Sequence, residues 1–457
     1  MKYKPIPEST TKIAFINHAS FAIYTKNIKI LSDPWYWGTA FDNGWKLLYE
    51  NPIKEVEKLL QEINYIFVSH EHPDHFSVSF FKKFKNHLIK NKISIIFQLT
   101  RDRKVNKFFN ELGINTIQLN HKKWLNISSK ERMILYKNGF LDSALILETD
   151  DALIINLNDC DLNNIELYKL NRLLPNNKPR IIGIQFSYAA WRSNKQWLKN
   201  AAKYKLFRLS KVFEILNGNI LLPFASFIYF SHEQNYKLNS YYNSPLMVSN
   251  YLAGKGIQHA FLKPSLAKMK MVDILNETIL KNYNQKGLDF WNNQIANEKS
   301  IIKADGSNIH NINSESIKIF LSRIRKNNNL TLIWLIRYIS FGFIFGDTII
   351  KIKDRNEYYL INFKSVNLLS LLPKNYDIEI QSDSFNLMLL APHGLDTLSV
   401  NGRLRQQSHN GFRKFIFSIG FQVLNSSGYG IKFRDLISPF ILTKIIEIPV
   451  RLFLRNS

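Results

Sequence analysis

The chain has 457 residues, and 45% of them are hydrophobic, which is enough to form the cores of two or three domains. Its 61 Lys and Arg residues against 36 Asp and Glu residues give a net charge of +25, which indicates anionic partners or reflects an AT-rich bacterial genome. The one cysteine, Cys160, excludes an intramolecular disulfide and an iron–sulfur cluster built from this chain's cysteines.

The segments that most resemble membrane or export signals are too polar for that role. Residues 1–7 lack the apolar core of a signal peptide. The longest apolar stretch, 330–350, is interrupted by Arg337 and Asp347 and is typical of a buried helix or strand. The sequence therefore predicts a cytoplasmic protein.

The N-terminal half alternates short apolar runs with amphipathic segments, a pattern typical of layered α/β proteins. It predicts strands at 12–16, 21–24, 28–31, 66–68, 93–97, 114–119, 143–148 and 152–157. It predicts helices at 55–63, 76–91 and 104–112. An aromatic and glycine-rich loop, 36–49, forms either a wall of a substrate site or packing beneath a loop.

A cluster of ionisable side chains directly follows the buried strand 66–68. His70 and His72 are two residues apart, so an extended backbone projects both from one face. Pro73 suits a first helical turn, which would place Asp74 and His75 at a helix start. If these are not ordinary core or surface side chains, they can bind two metal ions about 3.5–4 Å apart, with His70 and His72 on one ion and Asp74 and His75 on the other. Imidazole and carboxylate ligands suit zinc, iron or manganese.

The spacing His70-x-His72-x-Asp74-His75 after a buried strand resembles the signature of the metallo-β-lactamase fold superfamily. The resemblance covers roughly residues 10–265 and implies an α/β fold, a four-layer αββα sandwich with a dinuclear site along one edge. It implies that Asp159, at the end of the strand 152–157, bridges both metals. It also implies that His18 and Asp33 lie near the site, in contact with ligands or substrate, unless they are ordinary turn residues.

Three further motifs resemble one branch of the superfamily, the CMP-N-acetylneuraminate hydroxylases. They are Asn17-His18-Ala19-Ser20-Phe21, Asp33-Pro34-Trp35 and Asn158-Asp159-Cys160, and the stretches 185–191 and 223–235 extend the likeness. That family carries a Rieske centre ligated by two Cys and two His, which the single cysteine of this chain cannot build.

Two ligand positions of the superfamily differ in this chain. The usual third His falls just before Ser143, where Asp142 is the nearest usable ligand. The usual final His falls at 223–227, where there is none, and His232 is the substitute that follows. His121 is either a reserve ligand or structural, and Cys160 is either a soft ligand or a buried thiol.

Residues 266–457 are predicted to form a second, α+β domain after the metal-binding domain 1–265. The pattern predicts a polar helix at 276–299, a linker at 305–308, a basic helix at 315–327, an apolar helix at 330–345 and strands at 348–352, 358–363, 377–380 and 385–390. This order resembles a sterol-carrier-like layer. Residues 441–454, basic and apolar, either dock on the core or contact a membrane surface.

Three functions are consistent with the sequence. The first is a hydrolase in which two divalent ions, zinc or iron, lower the pKa of a bound water to around 7, Asp74 orients the resulting hydroxide and His18 assists. Its substrate would be an anionic small molecule or lipid carrying a phosphate or sugar acid. The second is a Rieske-less diiron oxygenase, because carboxylate in place of imidazole suits iron. The third is a scaffold holding one metal or none.

Motifs for other chemistry are missing from the sequence. We find no glycine-rich phosphate loop and no nucleophile elbow, since Ser187 lacks the flanking glycines. No consensus of a nucleic-acid-binding module is present either, which argues against a nucleic-acid partner. The sequence does not predict the oligomeric state.

Overall fold

The computed structural model describes residues 10–139, 141–188, 195–303 and 312–436. Contacts between Cα atoms divide the chain into two compact units. The first comprises Met1–Tyr188, Lys199–Ser231 and Leu238–Ser300, and the second comprises Ala189–Leu198, His232–Lys237 and Ile301–Ser457. The first unit thus continues beyond the boundary expected after residue 265.

The strands and helices as far as Ser300 follow the alternation predicted from the sequence. The strands are β1 Lys12–Asn17, β2 Ser20–Tyr24, β3 Lys29–Ser32, β4 Thr39–Ala40, β5 Trp45–Leu47, β6 Tyr65–Phe67, β7 Ser94–Gln98, β8 Thr116–Leu119, β9 Trp124–Asn126, β10 Arg132–Asn138, β11 Asp142–Glu148, β12 Leu153–Asn158, β13 Arg180–Gln185, β14 Ile220–Phe224, β15 Ile228–Phe230 and β16 Met269–Lys270. The helices are α1 Ile53–Glu62, α2 Val78–Lys83, α3 Lys85–Lys90, α4 Lys104–Leu112, α5 Asn164–Leu173, α6 Lys195–Ile215, α7 Pro245–Gly254, α8 Met271–Ile274 and α9 Glu277–Ala296, with a 3₁₀ helix at Tyr236–Tyr241.

Two sheets form the centre of the first unit, in the orders β16-β1-β2-β3-β6-β7-β8 and β14-β13-β12-β11-β10-β9. Alternate residues of β1 point to opposite faces, so Ile13 and Phe15 pack in the core that also contains β10–β14. Ala14 and Ile16 pack in a second core, with residues of α1–α4. Helices α5 and α6 contribute buried leucines to the first core. This arrangement is the αββα sandwich predicted for the fold, and that prediction is confirmed.

The strands that lead to the ionisable cluster run parallel. In the first sheet β3, β6, β7 and β8 are parallel neighbours, so their carboxyl ends meet at one edge. In the second sheet β12, β13 and β14 are also parallel. Residues that directly follow β3, β6 and β12 are therefore placed at strand ends, where side chains can converge on a site.

Helix α9 explains why the first unit extends to Ser300. The ring of Trp291 stacks on Phe227 at a centroid distance of 3.8 Å. Its Nε1 donates a hydrogen bond to the carbonyl oxygen of Leu262 at 2.9 Å. Trp291 is fully buried in the core of the first unit, so α9 shares that core although its place in the sequence predicted that it belongs to the second domain.

The second unit contains a five-stranded sheet in the order β19-β18-β17-β20-β21. Its strands are β17 Thr348–Ile352, β18 Glu357–Ile361, β19 Val366–Leu368, β20 Ile378–Ile380 and β21 Arg405–Gln406. Its helices are α10 Ser314–Asn327, α11 Leu330–Ile339, α12 Ser382–Leu390, α13 Gly394–Asn401, α14 Gly411–Ile419, α15 Phe421–Ser426 and α16 Phe433–Leu436. This mixture agrees with an α+β domain, while the sterol-carrier likeness stays a prediction.

Two predictions for this unit are wrong. Residues 385–390 are helical, not a strand, because Phe385, Met388 and Leu389 are buried at helical spacing within α12. The apolar segment around α11 is largely exposed, since only Leu332 and Ile333 of that helix are buried. The predicted C-terminal segment 441–454 lies outside the described residues.

Within the described ranges, no helix combines the length and the apolar character needed to cross a bilayer.

Candidate metal centre

The histidine cluster lies in a turn between β6 and α2. The amides of His75 and Phe76 both donate to the carbonyl oxygen of His72, at 3.0 and 2.7 Å. Helix α2 begins only at Val78, where the Ser77 hydroxyl accepts from the third helical amide. The expected helix start at Pro73 is therefore wrong: a hydrogen-bonded turn, rather than a helix, holds the candidate metal ligands.

One group of possible ligands consists of His18, Asp74 and His75, all of them buried. Oδ2 of Asp74 lies 3.4 Å from Nε2 of His18 and 3.3 Å from Nε2 of His75. His18 follows β1 with a positive φ of 29°, so a tight turn brings a strand-end side chain to Asp74. The structure thus joins His18 to Asp74 and His75 within one potential ion site.

A second group consists of His70, His72 and Asp159. Nε2 of His70 lies 2.9 Å from Nδ1 of His72, as their two-residue spacing predicts. Asp159 follows β12 and comes from the opposite sheet, with its Oδ2 at 3.9 Å from Nε2 of His70. Residues that are far apart in sequence therefore complete this second potential site.

Asp159 connects the two groups. Its Oδ1 lies 3.1 Å from Nε2 of His75, while its Oδ2 faces His70 of the other group. Each oxygen of one carboxylate therefore faces a different group. This is the placement that a residue bridging two ions would need.

Two buried polar atoms in this cluster, Oδ1 of Asp74 and Nδ1 of His18, make no hydrogen bond. Nε2 of His75 and Oδ1 of Asp159 lie 3.1 Å apart as an ion pair but without hydrogen-bond geometry. Leaving such atoms unpaired away from water costs free energy, so they are rare in folded proteins. Bound cations would satisfy the carboxylate oxygens and the ring nitrogens together. The nitrogen and oxygen donors thus fit a pair of zinc, iron or manganese ions.

Asp33 and Ser69 orient the imidazoles of His75 and His70 through contacts with Nδ1 of each ring. Oδ2 of Asp33 lies 3.1 Å from Nδ1 of His75, and its Oδ1 accepts the Ser69 amide at 2.7 Å. The Ser69 hydroxyl lies 3.0 Å from Nδ1 of His70. With Nδ1 held in this way, Nε2 of both imidazoles is directed towards the site.

The pKa shifts of most of these side chains favour the deprotonated state, which is the state that binds a metal ion. Burial lowers the pKa of His70 and of His18, so both rings stay neutral. Burial alone would raise the pKa of Asp159 and of Asp74, but the charge of His75 together with further histidine contacts outweighs burial and holds both pKa values well below their usual range. Burial also lowers the pKa of His75, yet neighbouring carboxylates led by Asp159 raise it well above its usual value. An arriving cation would therefore displace a proton from His75.

The remaining candidates differ in their positions. Asp142, at the start of β11, has its Oδ1 3.9 Å from Nε2 of His70, so the structure places it beside the second group. His232 belongs to the second unit and, among the described residues, is in neither ligand group. Its Nδ1 instead accepts the Gln234 amide at 3.3 Å.

Among the described residues, neither reserve ligand belongs to a ligand group. Nδ1 of His121 accepts the Lys137 amide at 2.9 Å, which supports the structural interpretation of this histidine. Cys160 is buried, and burial, aided by the Asp142 carboxylate, raises its thiol pKa well above the usual value. It therefore stays protonated and, in the described part of the chain, joins neither group.

Aromatic side chains contact two of the histidines, and the sequence did not indicate which aromatic residues would do so. The Trp35 ring meets His18 edge to face at 5.4 Å, and the Phe41 ring meets His72 at the same distance. Phe41 lies in the loop 36–49, so part of this loop does border the cluster. Ser69 was missed as well, although its position directly before His70 at the strand end could have indicated it.

Part of the chain is similar to known proteins. Residues 12–146 match the family described as a β-lactamase superfamily domain. The chain therefore contains a domain of the metallo-β-lactamase fold. In sequence it is similar to the CMP-N-acetylneuraminate hydroxylases, with 26% identity to the Danio rerio protein over 233 residues and 25% to the inactive Homo sapiens protein over 234 residues.

These matches cover only part of the relatives. They span 48% of this chain but 39% of the Danio rerio protein and 46% of the human one. Among solved structures, the metallo hydrolase Igni18 from Ignicoccus hospitalis is 11% identical, covering 57% of this chain and 99% of its own, with a TM-score of 0.41. The diiron β-hydroxylase CmlA from Streptomyces venezuelae is 10% identical, covering 59% and 55%, with a TM-score of 0.37.

Proposed function

We propose that this protein is a metal-dependent hydrolase with a dinuclear centre that acts on an anionic small-molecule or lipid substrate. The placement of Asp159 carries this proposal, because its two oxygens face two different groups of nitrogen and oxygen donors. One ion would be held by His70, His72 and Asp159. The other would be held by His18, Asp74 and His75, with Asp159 between the two ions.

Bound at these residues, such ions supply Lewis acidity and a water whose pKa is lowered to around 7. The chain itself would orient this water. Oδ1 of Asp74 is buried and has no hydrogen-bond partner, so this atom can accept a hydrogen bond from the water and direct it. His18 holds the other oxygen of Asp74 at 3.4 Å and so fixes the direction in which the carboxylate faces.

The net charge of +25 supports an anionic substrate such as a phosphate ester or a sugar acid. The single cysteine, Cys160, is consistent with a reducing, cytoplasmic setting, which we also propose.

The proposal is tested by His72→Ala and Asp159→Ala. We expect each variant to bind less metal than the wild type and to lose hydrolysis of phosphate-ester and sugar-acid substrates, while its circular dichroism stays that of the folded protein. Retained turnover in either folded variant would reject this site.

A second candidate function is hydroxylation at a diiron centre. The sequence similarity to the CMP-N-acetylneuraminate hydroxylases favours it. So does Asp142, whose carboxylate lies 3.9 Å from Nε2 of His70, because an oxygen-rich ligand set suits iron. Since this sequence has only one cysteine, electrons would have to come from a donor other than an iron–sulfur cluster built by its own cysteines.

Metal analysis distinguishes the two reactions. Protein from iron-replete cells is analysed for iron and zinc, and dioxygen uptake is measured with CMP-N-acetylneuraminate and an external reductase. Zinc alone with no dioxygen uptake would eliminate hydroxylation. Two irons per chain with substrate-dependent uptake would replace the hydrolase proposal.

A further inference from the structure

A group of large apolar side chains in the second unit faces solvent. They lie on α11 and the turn that follows it, and about half or more of each is exposed: Trp334, Leu335, Tyr338, Ile339, Phe341 and Phe343, together called the apolar tip. Phe341 is 99% exposed. An apolar surface of this kind usually marks an interaction site, since isolated exposed side chains are common but contiguous clusters are not.

The turn that carries Phe341 is internally hydrogen-bonded. The Gly342 amide donates to the Arg337 carbonyl at 2.8 Å, and the Ser340 hydroxyl accepts the Ile344 amide at 3.1 Å. Phe341 has a φ of +50°, a conformation that is unfavourable for a bulky side chain. Among the described residues this side chain gains no packing in return, so the turn presents Phe341 outward at a cost in folding free energy.

Cations flank these aromatic rings. Nζ of Lys364 lies 5.1 Å from the Trp334 ring centroid, and the Arg413 guanidinium lies 4.7 Å from that of Phe343. Trp and Tyr with adjacent Lys and Arg are the residues that sit at the boundary between acyl chains and head groups. Anionic head groups would attract the cations while the apolar rings enter the acyl region.

We propose that the apolar tip binds peripherally to a bilayer that contains anionic phospholipid. Helix α11 has ten residues, so it can lie in the interface but cannot cross the membrane. The charge of the surface decides between this occupant and a second copy of the chain. A dimer formed through the apolar tip would bring Lys364 and Arg413 of one copy close to the same two residues of the other copy, and these like charges would repel. Anionic lipid would neutralise them instead.

The test is co-sedimentation of the full-length chain with vesicles of phosphatidylcholine alone or mixed with phosphatidylserine. We expect binding to the mixed vesicles, weakened by salt, and little binding to phosphatidylcholine alone. Phe341→Asn should lower the partition coefficient by about tenfold, because it removes the most exposed apolar side chain without adding charge. Asn tolerates the positive φ, so the variant should fold.

A matched control is Ile165→Asn on α5, where the isoleucine is 66% exposed outside the apolar tip. It should leave vesicle binding unchanged. The double variant Lys364→Gln, Arg413→Gln should bind mixed vesicles less and show a weaker salt dependence. Absence of wild-type binding, or equal binding by Phe341→Asn, would overturn the proposal. A concentration-dependent dimer in light scattering that Phe341→Asn abolishes would overturn it in favour of a second copy.

Discussion

Asp33 and His75 form a fully buried pair, in which Oδ2 of the aspartate lies 3.1 Å from Nδ1 of the imidazole. Both residues come from strand ends of the first sheet, one after β3 and one in the turn after β6. Their contact fixes the ring so that Nε2 faces Asp74 and Asp159. Asp33 therefore acts on the candidate metal centre through His75 and need not contact an ion itself.

Asp33→Asn should weaken metal retention by about 10–100-fold, because the amide no longer offers a charged acceptor to Nδ1 of His75. Asparagine tolerates the positive φ of 37° at this position, so the variant should fold. Competition with a chromophoric chelator measures the dissociation constants. His121→Asn is the control, because His121 is in neither ligand group among the described residues. An unchanged affinity in Asp33→Asn would show that this contact does not orient the imidazole for binding.

If each ligand group binds one ion, a substitution in one group should remove one ion and leave the other bound. His72→Ala should leave one ion per chain, held by His18, Asp74 and His75, while Asp74→Ala should leave one ion on the other group. The double variant should retain none. Elemental analysis after dialysis measures the stoichiometry. If either single variant kept two ions, the assignment of its residue as a ligand would be wrong.

The local part of the site could be predicted from the sequence, because His70, His72, Asp74 and His75 lie within six residues after an apolar strand. Asp159 needed the superfamily resemblance, since its proximity to His75 depends on how two sheets pack. The turn at Pro73 was mistaken for a helix start, because proline suits both. The sequence did not indicate that the Ser77 hydroxyl caps α2.

Longer-range features could not be predicted. The apolar run 385–390 suits a strand or a buried helix equally, and only its packing decides. The apolar character of α11 suggested burial, but hydrophobicity does not reveal whether a neighbouring element covers a helix. Helix α9 looked like part of the second domain, since the stacking of Trp291 on Phe227 joins residues 64 positions apart.

The pH dependence of stability provides a test of His121. Burial lowers the pKa of this imidazole to about 4, and the charges of Lys122 and Lys137 add to the effect. Below pH about 6.5 the unfolded chain binds a proton that the folded chain does not, so stability falls as pH drops from about 6.5 towards 4. His121→Asn should make the free energy of unfolding fall less steeply across that window. Its amide oxygen can still accept the Lys137 amide.

Urea denaturation at several pH values measures this difference between the two proteins. Above pH about 7.5 the difference between wild type and variant should be constant, because His121 is then neutral in both states. Parallel curves throughout the acidic range would show that His121 titrates normally in the folded chain.

Gly287→Ala tests whether α9 belongs to the first unit. A Cβ at this position would overlap the carbonyl oxygen of Phe261, which is backbone and cannot rotate away. We expect the variant to lose about 1–3 kcal/mol of stability, measured by urea denaturation of the first unit's transition. Gly254→Ala is the matched control, since nothing lies within 4 Å of its added methyl group. It should be neutral or stabilise slightly, because alanine restricts the unfolded chain. Equal stability of the two variants would mean that α9 does not pack against Phe261 in solution.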